Sequence, residues 1–484
     1  MFDLRPVGYV LGLLVMTLGV TMLIPLAADV MADNGHWGSF AEAAAITGVT
    51  GLFLTLACAN GVTQGLSIQQ TFFLTTGVWL VLPIFGALPF VLGETDARFV
   101  DAVFEAMSGL TTTGATVLSE LDRLPVGLNL WRGLMQWFGG IGIIVVAMVF
   151  LPELRVGGMQ IFRSEGFDTF GKILPRAGEI ASRISVIYLV LTVACGLTYL
   201  SLGMEPFDAL MHALTTLSTG GFSNHDASFG TFAGPLEYAG AAFMLLASLP
   251  FVRYIQLVAG SARPILLDSQ IRAYLLTVLA LTLAFTLYRV AVNGTGFELS
   301  LRQTIFNVTS IISGTGYAST DYQTWGTVAV PAFFFIGLIG GCAGSTSCSI
   351  KVFRYQLLFA AISTQVRRLY APHGIFEPRY DGRKVAEEVI SSVMAFFVLF
   401  FVTLGITAVL LGLTGLDVVT AVSGAAAALG NIGPGLGDLI GPAGNYAHPE
   451  ISDAAKWILS AAMLIGRLEL MAVLVLFTAT FWRT

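Results

Sequence analysis

Charged side chains are scarce in this chain: only 11% of its 484 residues are Asp, Glu, Lys or Arg, while 55% are hydrophobic. A water-soluble core of that size could not hide so much apolar side chain, so the composition excludes a soluble globular protein and indicates an integral membrane protein. Cysteine is nearly absent. Cys58, Cys195, Cys342 and Cys348 show no metal-ligand spacing and none lies in an obvious outer loop, which argues against a disulfide framework. His36, His212, His225, His373 and His448 are scattered and no HExxH occurs. GCAGSTS lacks the lysine of a phosphate-binding loop, and FGGIGI lies inside an apolar run rather than between a strand and a helix. A membrane-embedded enzyme is the rival class, but these absences leave it without machinery. His212 reads as a packed, hydrogen-bonded residue, and nothing points to nucleic acid.

What the chain has is apolar length. Stretches of about 20 apolar residues are what a bilayer demands, and ten are legible: near 7–28, 37–58, 70–92, 131–151, 184–203, 236–259, 273–292, 327–350, 389–412 and 456–478. The expected fold class is an all-α polytopic membrane protein. With Asp3 and Arg5 ahead of the first span and no convincing cleavage site, that span is expected to stay as an anchor.

Between the third and fourth, fifth and sixth, seventh and eighth, and ninth and tenth spans lie four short segments. They are TTTG (Thr111, Thr112, Thr113, Gly114), LSTGG (Leu217, Ser218, Thr219, Gly220, Gly221), SGTGY (Ser313, Gly314, Thr315, Gly316, Tyr317) and GNIGP (Gly430, Asn431, Ile432, Gly433, Pro434). Aligned on Gly114, Gly220, Gly316 and Gly433, they recur at steps of 106 (220−114), 96 (316−220) and 117 (433−316) residues, a period that suggests one duplicated unit. Each follows a helical pattern too short to cross a bilayer, since about 12 to 16 residues rise only ~18 to 24 Å. The chain must therefore return to the side it came from. Helix starts are expected at Asp101, Pro206 with Asp208, Ser300 and Asp417.

With both termini inside, basic residues divide 17 to 6 in favour of the inner side, with Arg467 inside a span; the positive-inside rule then puts all four segments on the outer half. Asp96, Asp101, Glu105, Glu120, Asp122, Glu205, Asp208 and Asp226 gather outside, where they either concentrate cations or serve as ordinary solvated loop residues.

An ion leaving water needs oxygen ligands in place of its hydration shell, and backbone carbonyls of short loops can supply them. Glycine permits left-handed angles that aim successive carbonyls the same way. Thr and Ser hydroxyls add ligands or brace the loop. The ordinary use of small residues in membranes is close helix packing. That use leaves four occurrences at one period unexplained.

At these residues the chain resembles the Trk/Ktr/HKT superfamily of cation transporters, in its bacterial TrkH-type branch. SGLTTTGATV, STGGFS, SGTGYA and ALGNIGPGLG look like its four filter regions in order. MQWFGGIGIIVVAMVFLP (Met135–Pro152), VGGMQIFRSE (Val156–Glu165), GGCAGST (Gly340–Thr346) and IKVFR (Ile350–Arg354) are similar to further family segments. The resemblance implies potassium uptake across a bacterial inner membrane, with both termini cytoplasmic. It implies a two-helix extension (1–67) followed by four span, pore-loop, span repeats at 68–155, 156–265, 266–370 and 371–484. The four segments above would form the selectivity filter, with K+ at Thr112, Thr113, Ser218, Thr219, Gly314, Thr315, Asn431 and Ile432. Gly114, where sodium-favouring relatives carry Ser, points to potassium.

The run GGCAGSTSCS is poor in helix formers and interrupts the eighth span. By resemblance, Gly340, Gly341, Cys342, Ala343, Gly344, Ser345 and Thr346 form an intramembrane loop that gates the pore. Small-residue packing is the other use for such a run. Arg467 lies near the middle of the last span, where a charge must face protein or water. The resemblance makes it a pore barrier near that loop; an arginine paired with loop carbonyls to hold the fold is the alternative. Lys351 reads as a side chain able to snorkel to the inner surface. No cofactor is expected in this chain. The family implies a homodimer in lipid, carrying K+ or its analogue Rb+, with a cytosolic RCK-type (TrkA-like) ring that binds NAD or adenine nucleotides. Arg155–Arg183 and Arg367–Lys384 are candidate docking stretches for that ring or for anionic lipid. A H+- or Na+-coupled potassium symporter, or a less selective K+/Na+ transporter, fits the same residues.

Overall fold

The structure, a computed structural model, describes residues 3–61, 66–93, 95, 97–146, 177–479, 481 and 482. Residues 147–176 lie outside that set, and with them the family-like stretch Val156–Glu165, most of the basic stretch Arg155–Arg183 and the boundary expected at 155/156.

Among the described residues six helices are long and apolar enough to cross a membrane: Arg5–Ala32, Trp37–Gly61, Ile68–Leu92, Gly178–Ser201, Ser269–Asn293 and Glu387–Leu413. Their flanks carry large exposed apolar residues such as Phe53, Leu276, Leu287 and Val409, a surface that lipid rather than water covers. The helix Val126–Val145 occupies the expected fourth span up to the end of the described stretch. Two further spans, expected to be continuous, are broken. Pro235–Ala247 meets Phe251–Val258 at 90°, and Asp453–Arg467 meets Met471–Phe477 at 104°. Pro250 explains the first break, because it offers no N–H and disfavours helix at Leu249. The second contains neither Gly nor Pro; Glu469 and Leu470 take left-handed angles there, φ 58° and 46°.

The four short helices are Phe99–Leu110, Pro206–Leu217, Phe297–Ser313 and Val418–Gly430. The second begins at the expected proline. The fourth is capped by the Asp417 carboxylate, which accepts the Val419 and Thr420 N–H groups. The third begins one turn before Ser300, at Phe297, with Gly296 as its N-cap. All four bury their C-terminal halves, and even the 17-residue third helix rises only about 25 Å, short of a bilayer core.

Buried apolar side chains form two clusters. One joins the N-terminal helices to the first and fourth short helices, and the other surrounds the second and third. Asp29 ties the N-terminal pair in: its carboxylate accepts from Gly127 N (2.7 Å) and pairs with His36 (3.2 Å). Beyond the eighth span a two-stranded hairpin pairs Arg379 with Lys384 and Tyr380 with Arg383 around Asp381-Gly382, both at positive φ, the signature of a two-residue turn.

Candidate functional site

Each short helix ends in the same backbone figure. One or two residues past the helix the chain turns left-handed, the next residue is not left-handed, and the one after is left-handed again. The first left-handed positions are Thr112 (φ 52°), Thr219 (49°), Gly314 (78°) and Asn431 (51°); the second are Gly114 (85°), Gly221 (75°), Gly316 (82°) and Gly433 (96°). Hydrogen bonds fix the same register. Thr113, Gly220, Thr315 and Ile432 each donate their N–H to a carbonyl five residues back, at Ser108, Thr215, Ser310 and Ala427. The sequence alignment on Gly220 is therefore off by one: Gly221 matches Gly114, Gly316 and Gly433, and Gly220 matches Thr113.

A residue of negative φ between two left-handed ones turns successive carbonyls to one side. The four turns also meet in a closed ring. A Cβ on Gly114 would lie 2.2 Å from the Gly220 oxygen, on Gly221 1.8 Å from Thr315, on Gly316 1.8 Å from Ile432, and on Gly433 2.7 Å from Thr113. Each glycine thus sits against the carbonyl of the next turn, and the fourth returns to the first.

The carbonyls of Thr112, Thr219, Gly314 and Asn431, and of Thr113, Gly220, Thr315 and Ile432, form two levels of this ring. Of these eight buried oxygens only Gly220's accepts a hydrogen bond from the described residues. Buried carbonyls are almost always paired, so seven oxygens in one ring with no donor among the described residues call for a partner from outside the chain. A dehydrated cation is such a partner. The hydroxyls of the first and third turns brace them: Thr111 pairs with Thr113 and Ser313 with Thr315, both at 2.7 Å.

Above the ring a cavity of about 80 Å³ is lined by Gly114, Gly221, Gly316 and Gly433 and by Arg132, His225 and Asp226. Its charge is less negative than the sequence suggested. Glu105 is fully buried and neutralised by Arg132 at 2.8 Å, and Asp101 is held by Arg98 and Lys456. His225 bonds to Asp122 and, at 3.2 Å, to Asp208. Burial depresses that imidazole, but the two carboxylates outweigh it and the pKa rises above the ordinary 6.5. His212 is a buried spacer, bonded to Asp208 O (2.8 Å) and Ser223 Oγ (3.0 Å).

Below the ring, Gly340–Lys351 form a buried non-helical loop between the helices Ala329–Ile339 and Val352–Tyr370. The break in the sixth span supplies its partners. Cys342 N donates to Ser248 O (3.1 Å), Thr346 Oγ1 to Ala247 O (3.0 Å), and Phe251 N to Gly344 O (2.9 Å). Backbone left open by a broken helix is thus satisfied inside protein. Ser347 Oγ reaches the ring itself, donating to the Ser313 carbonyl, and accepts from Gly341 N at 3.1 Å.

Arg467, at 1% exposure, donates to Cys348 Sγ (2.7 Å) and Gly139 O (2.8 Å), bridging this loop to the fourth span. Lys351 does not snorkel. It is buried and paired with Glu469 at 2.8 Å, and Arg354 bonds the second Glu469 oxygen while stacking 3.7 Å over Phe396. Sequence reasoning missed Glu469, although an acid two residues after Arg467 in an apolar span was a visible signal. Gln136, a polar residue inside MQWFGG, was overlooked in the same way.

Polytopic apolar helices mark an integral membrane protein, and a closed ring of backbone oxygens without donors among the described residues is chemistry suited to cations. Comparison with known proteins makes this specific. The family described as TrkH, cation transport protein, matches residues 40–483. The chain is 44% identical to the Trk system potassium uptake protein TrkI of Halomonas elongata, over 99% of this chain and 97% of that one. It is 36% identical to the Trk system potassium uptake protein TrkH of Escherichia coli K12, over 99% of both. The crystal structure of the potassium transporter TrkH from Vibrio parahaemolyticus superposes with a TM-score of 0.91 at 32% identity, covering all of both chains. The chain belongs to the TrkH family of cation transport proteins, a family of transporters and not of enzymes.

Proposed function

We propose that this protein takes up potassium across a bacterial inner membrane through the four-turn ring, acting as a selectivity filter. The observation that carries the reading is the closed ring of carbonyls, seven of the eight at its two levels having no hydrogen-bond donor among the described residues. Four re-entrant segments, from repeats at 68–155, 156–265, 266–370 and 371–484, build the filter, and K+ binds among Thr112, Thr113, Thr219, Gly220, Gly314, Thr315, Asn431 and Ile432, with Gly220 in place of the Ser218 expected from sequence. The loop Gly340–Thr346 obstructs the path beneath, and Arg467 adds an electrostatic barrier. The relatives' printed names, potassium uptake proteins of the Trk system, support this choice of ion. A homodimer with a cytosolic nucleotide-binding ring of RCK type completes the proposal; NAD or adenine nucleotides act on that ring.

Uptake of radioactive rubidium into proteoliposomes containing this chain, with potassium, sodium or lithium as competitor, tests the filter. Competition by potassium and not by sodium is expected. Equal competition by all three ions sinks a selective filter. Flux that follows an imposed proton or sodium gradient, with no rubidium gradient present, favours the coupled-symport alternative.

A further inference from the structure

The four turns are not equivalent, and the difference lies behind the second. Gln136, fully buried in the helix Val126–Val145, faces that turn with its whole amide. Its Nε2 donates to Gly220 O (2.7 Å) and its Oε1 accepts from Phe222 N (3.0 Å). The two backbone partners fix which way the amide points, since one can only accept and the other only donate. The same helix face carries Arg132 one turn earlier, bonded to Ser223 O (2.6 Å), and Gly140 one turn later, against Ser218. At spacing i, i+4, i+8 these residues follow the second turn along its length. Gly220 has no room for a Cβ because one would lie 2.3 Å from the Gln136 amide carbon.

In the helix after the fourth turn the matching position is Met463. Gly139 and Gly466 fix the match, since a Cβ on each would lie 2.0 and 2.2 Å from the carbonyl two residues before the first left-handed position of its own turn, Leu110 and Leu429. Methionine has no proton to donate, and the carbonyl of the next turn around the ring, Thr113, accepts no hydrogen bond from the described residues.

We propose that Gln136 is a positioning residue that sets cation preference: by clamping the Gly220 carbonyl and the Phe222 N–H, it keeps one wall of the ring from closing onto an ion smaller than potassium. The inference rests on the filter reading above. A carbonyl held from behind can neither swing inward nor give its full charge to the ion. Released, it can follow a smaller cation, and sodium gains.

The test uses the full-length chain in proteoliposomes, with Gln136→Met, the side chain found at 463. Rubidium flux gives the rate, and the ratio of sodium to potassium needed for half-inhibition gives the preference. Flux within a few-fold of wild type is expected, with the preference for potassium falling about five-fold, which is about 1 kcal/mol, one hydrogen bond. A changed flux with unchanged preference overturns the proposal and leaves Gln136 a packing residue. If Gln136→Met does not fold, Gln136→Leu is uncharged, close in size and removes both the donor to Gly220 O and the acceptor for Phe222 N; its preference must fall likewise or the proposal fails. If the wild type itself does not discriminate, the filter reading falls; if it discriminates and both variants match it, only the role of Gln136 falls.

Discussion

Alanine at Gly221 and alanine at Gly220 are neighbouring substitutions with different expected outcomes. At Gly221 the new Cβ meets the Thr315 oxygen at 1.8 Å, where contacts under 3.0 Å are essentially never found, so that carbonyl must retreat by about 1 Å. The oxygen is backbone, and its peptide plane is pinned by the Gly316 N–H bond to Ser310 O (3.2 Å), so it cannot rotate away. The position is also left-handed at φ 75°, which costs an L-residue about 1 to 2 kcal/mol. At Gly220 φ is not positive, and the Cβ meets Gln136, a side chain able to swing aside. On the ion path its cost is the lost clamp on the Gly220 carbonyl, about one hydrogen bond or ~1 kcal/mol, while the second lost bond, from Phe222 N, weighs on stability. Gly221→Ala should therefore cut rubidium uptake at least about ten-fold, the equivalent of 1.4 kcal/mol, while Gly220→Ala should stay within about five-fold and shift preference toward sodium as Gln136→Met does. Initial uptake rates normalised to reconstituted protein separate the two. A more damaging Gly220→Ala would refute the backbone register and restore the alignment that pairs Gly220 with Gly114.

Three further outcomes follow from the same geometry. Arg467→Ala removes a buried charge held against Cys348 and Gly139 and should raise rubidium flux about ten-fold, as loss of ~1.4 kcal/mol of repulsion would, with the potassium preference kept; unchanged or lower flux in folded protein counts against a barrier. Ser347→Gly releases the Ser313 carbonyl from the intramembrane loop, and one such bond, about 0.5 to 1.5 kcal/mol, predicts basal flux up by ~2 to 10-fold; flux equal to wild type would mean that the loop does not move. His225 has a folded pKa above its unfolded value near 6.5, so its bonds to Asp122 and Asp208 stabilise fully below pH 6.5 and fade as pH rises through the folded pKa. The melting temperature of wild type should exceed that of His225→Gln at pH 5.5 and converge with it at high pH, and a gap that widens with pH would contradict the sign.

What the sequence makes legible here depends on how local the cause is. The ends of the short helices carry their own chemistry: Pro206 opens one, the Asp417 carboxylate caps another, and each closes in a left-handed residue, so both their existence and their loops can be read from composition. The third begins a turn early because Gly296 serves as N-cap although Ser300 is the better capping residue by type. In LSTGG two adjacent glycines are equally permissive, and only packing decides between them: the Thr315 oxygen crowds one and the Gln136 amide the other. Pro250 is a local signal that a hydropathy average hides.

The break after Arg467 has no such signal. Ordinary side chains there hold left-handed angles, and what stands against that cost is tertiary: the Glu469 carboxylate turned toward Lys351 and Arg354, over a hundred residues earlier. Removing either end of such a buried pair leaves an uncompensated charge worth about 3 to 5 kcal/mol. The bend in the last span and the end of the intramembrane loop are therefore coupled, and a movement of the loop that carries Lys351 must either drag the bend with it or break the pair. Arg467 and Ser347 touch the same loop, one from the last span and one toward the third turn. On the proposed reading the contacts that close the path beneath the ring share one loop, which is why the flux changes predicted for Arg467→Ala and Ser347→Gly should be less than additive when combined.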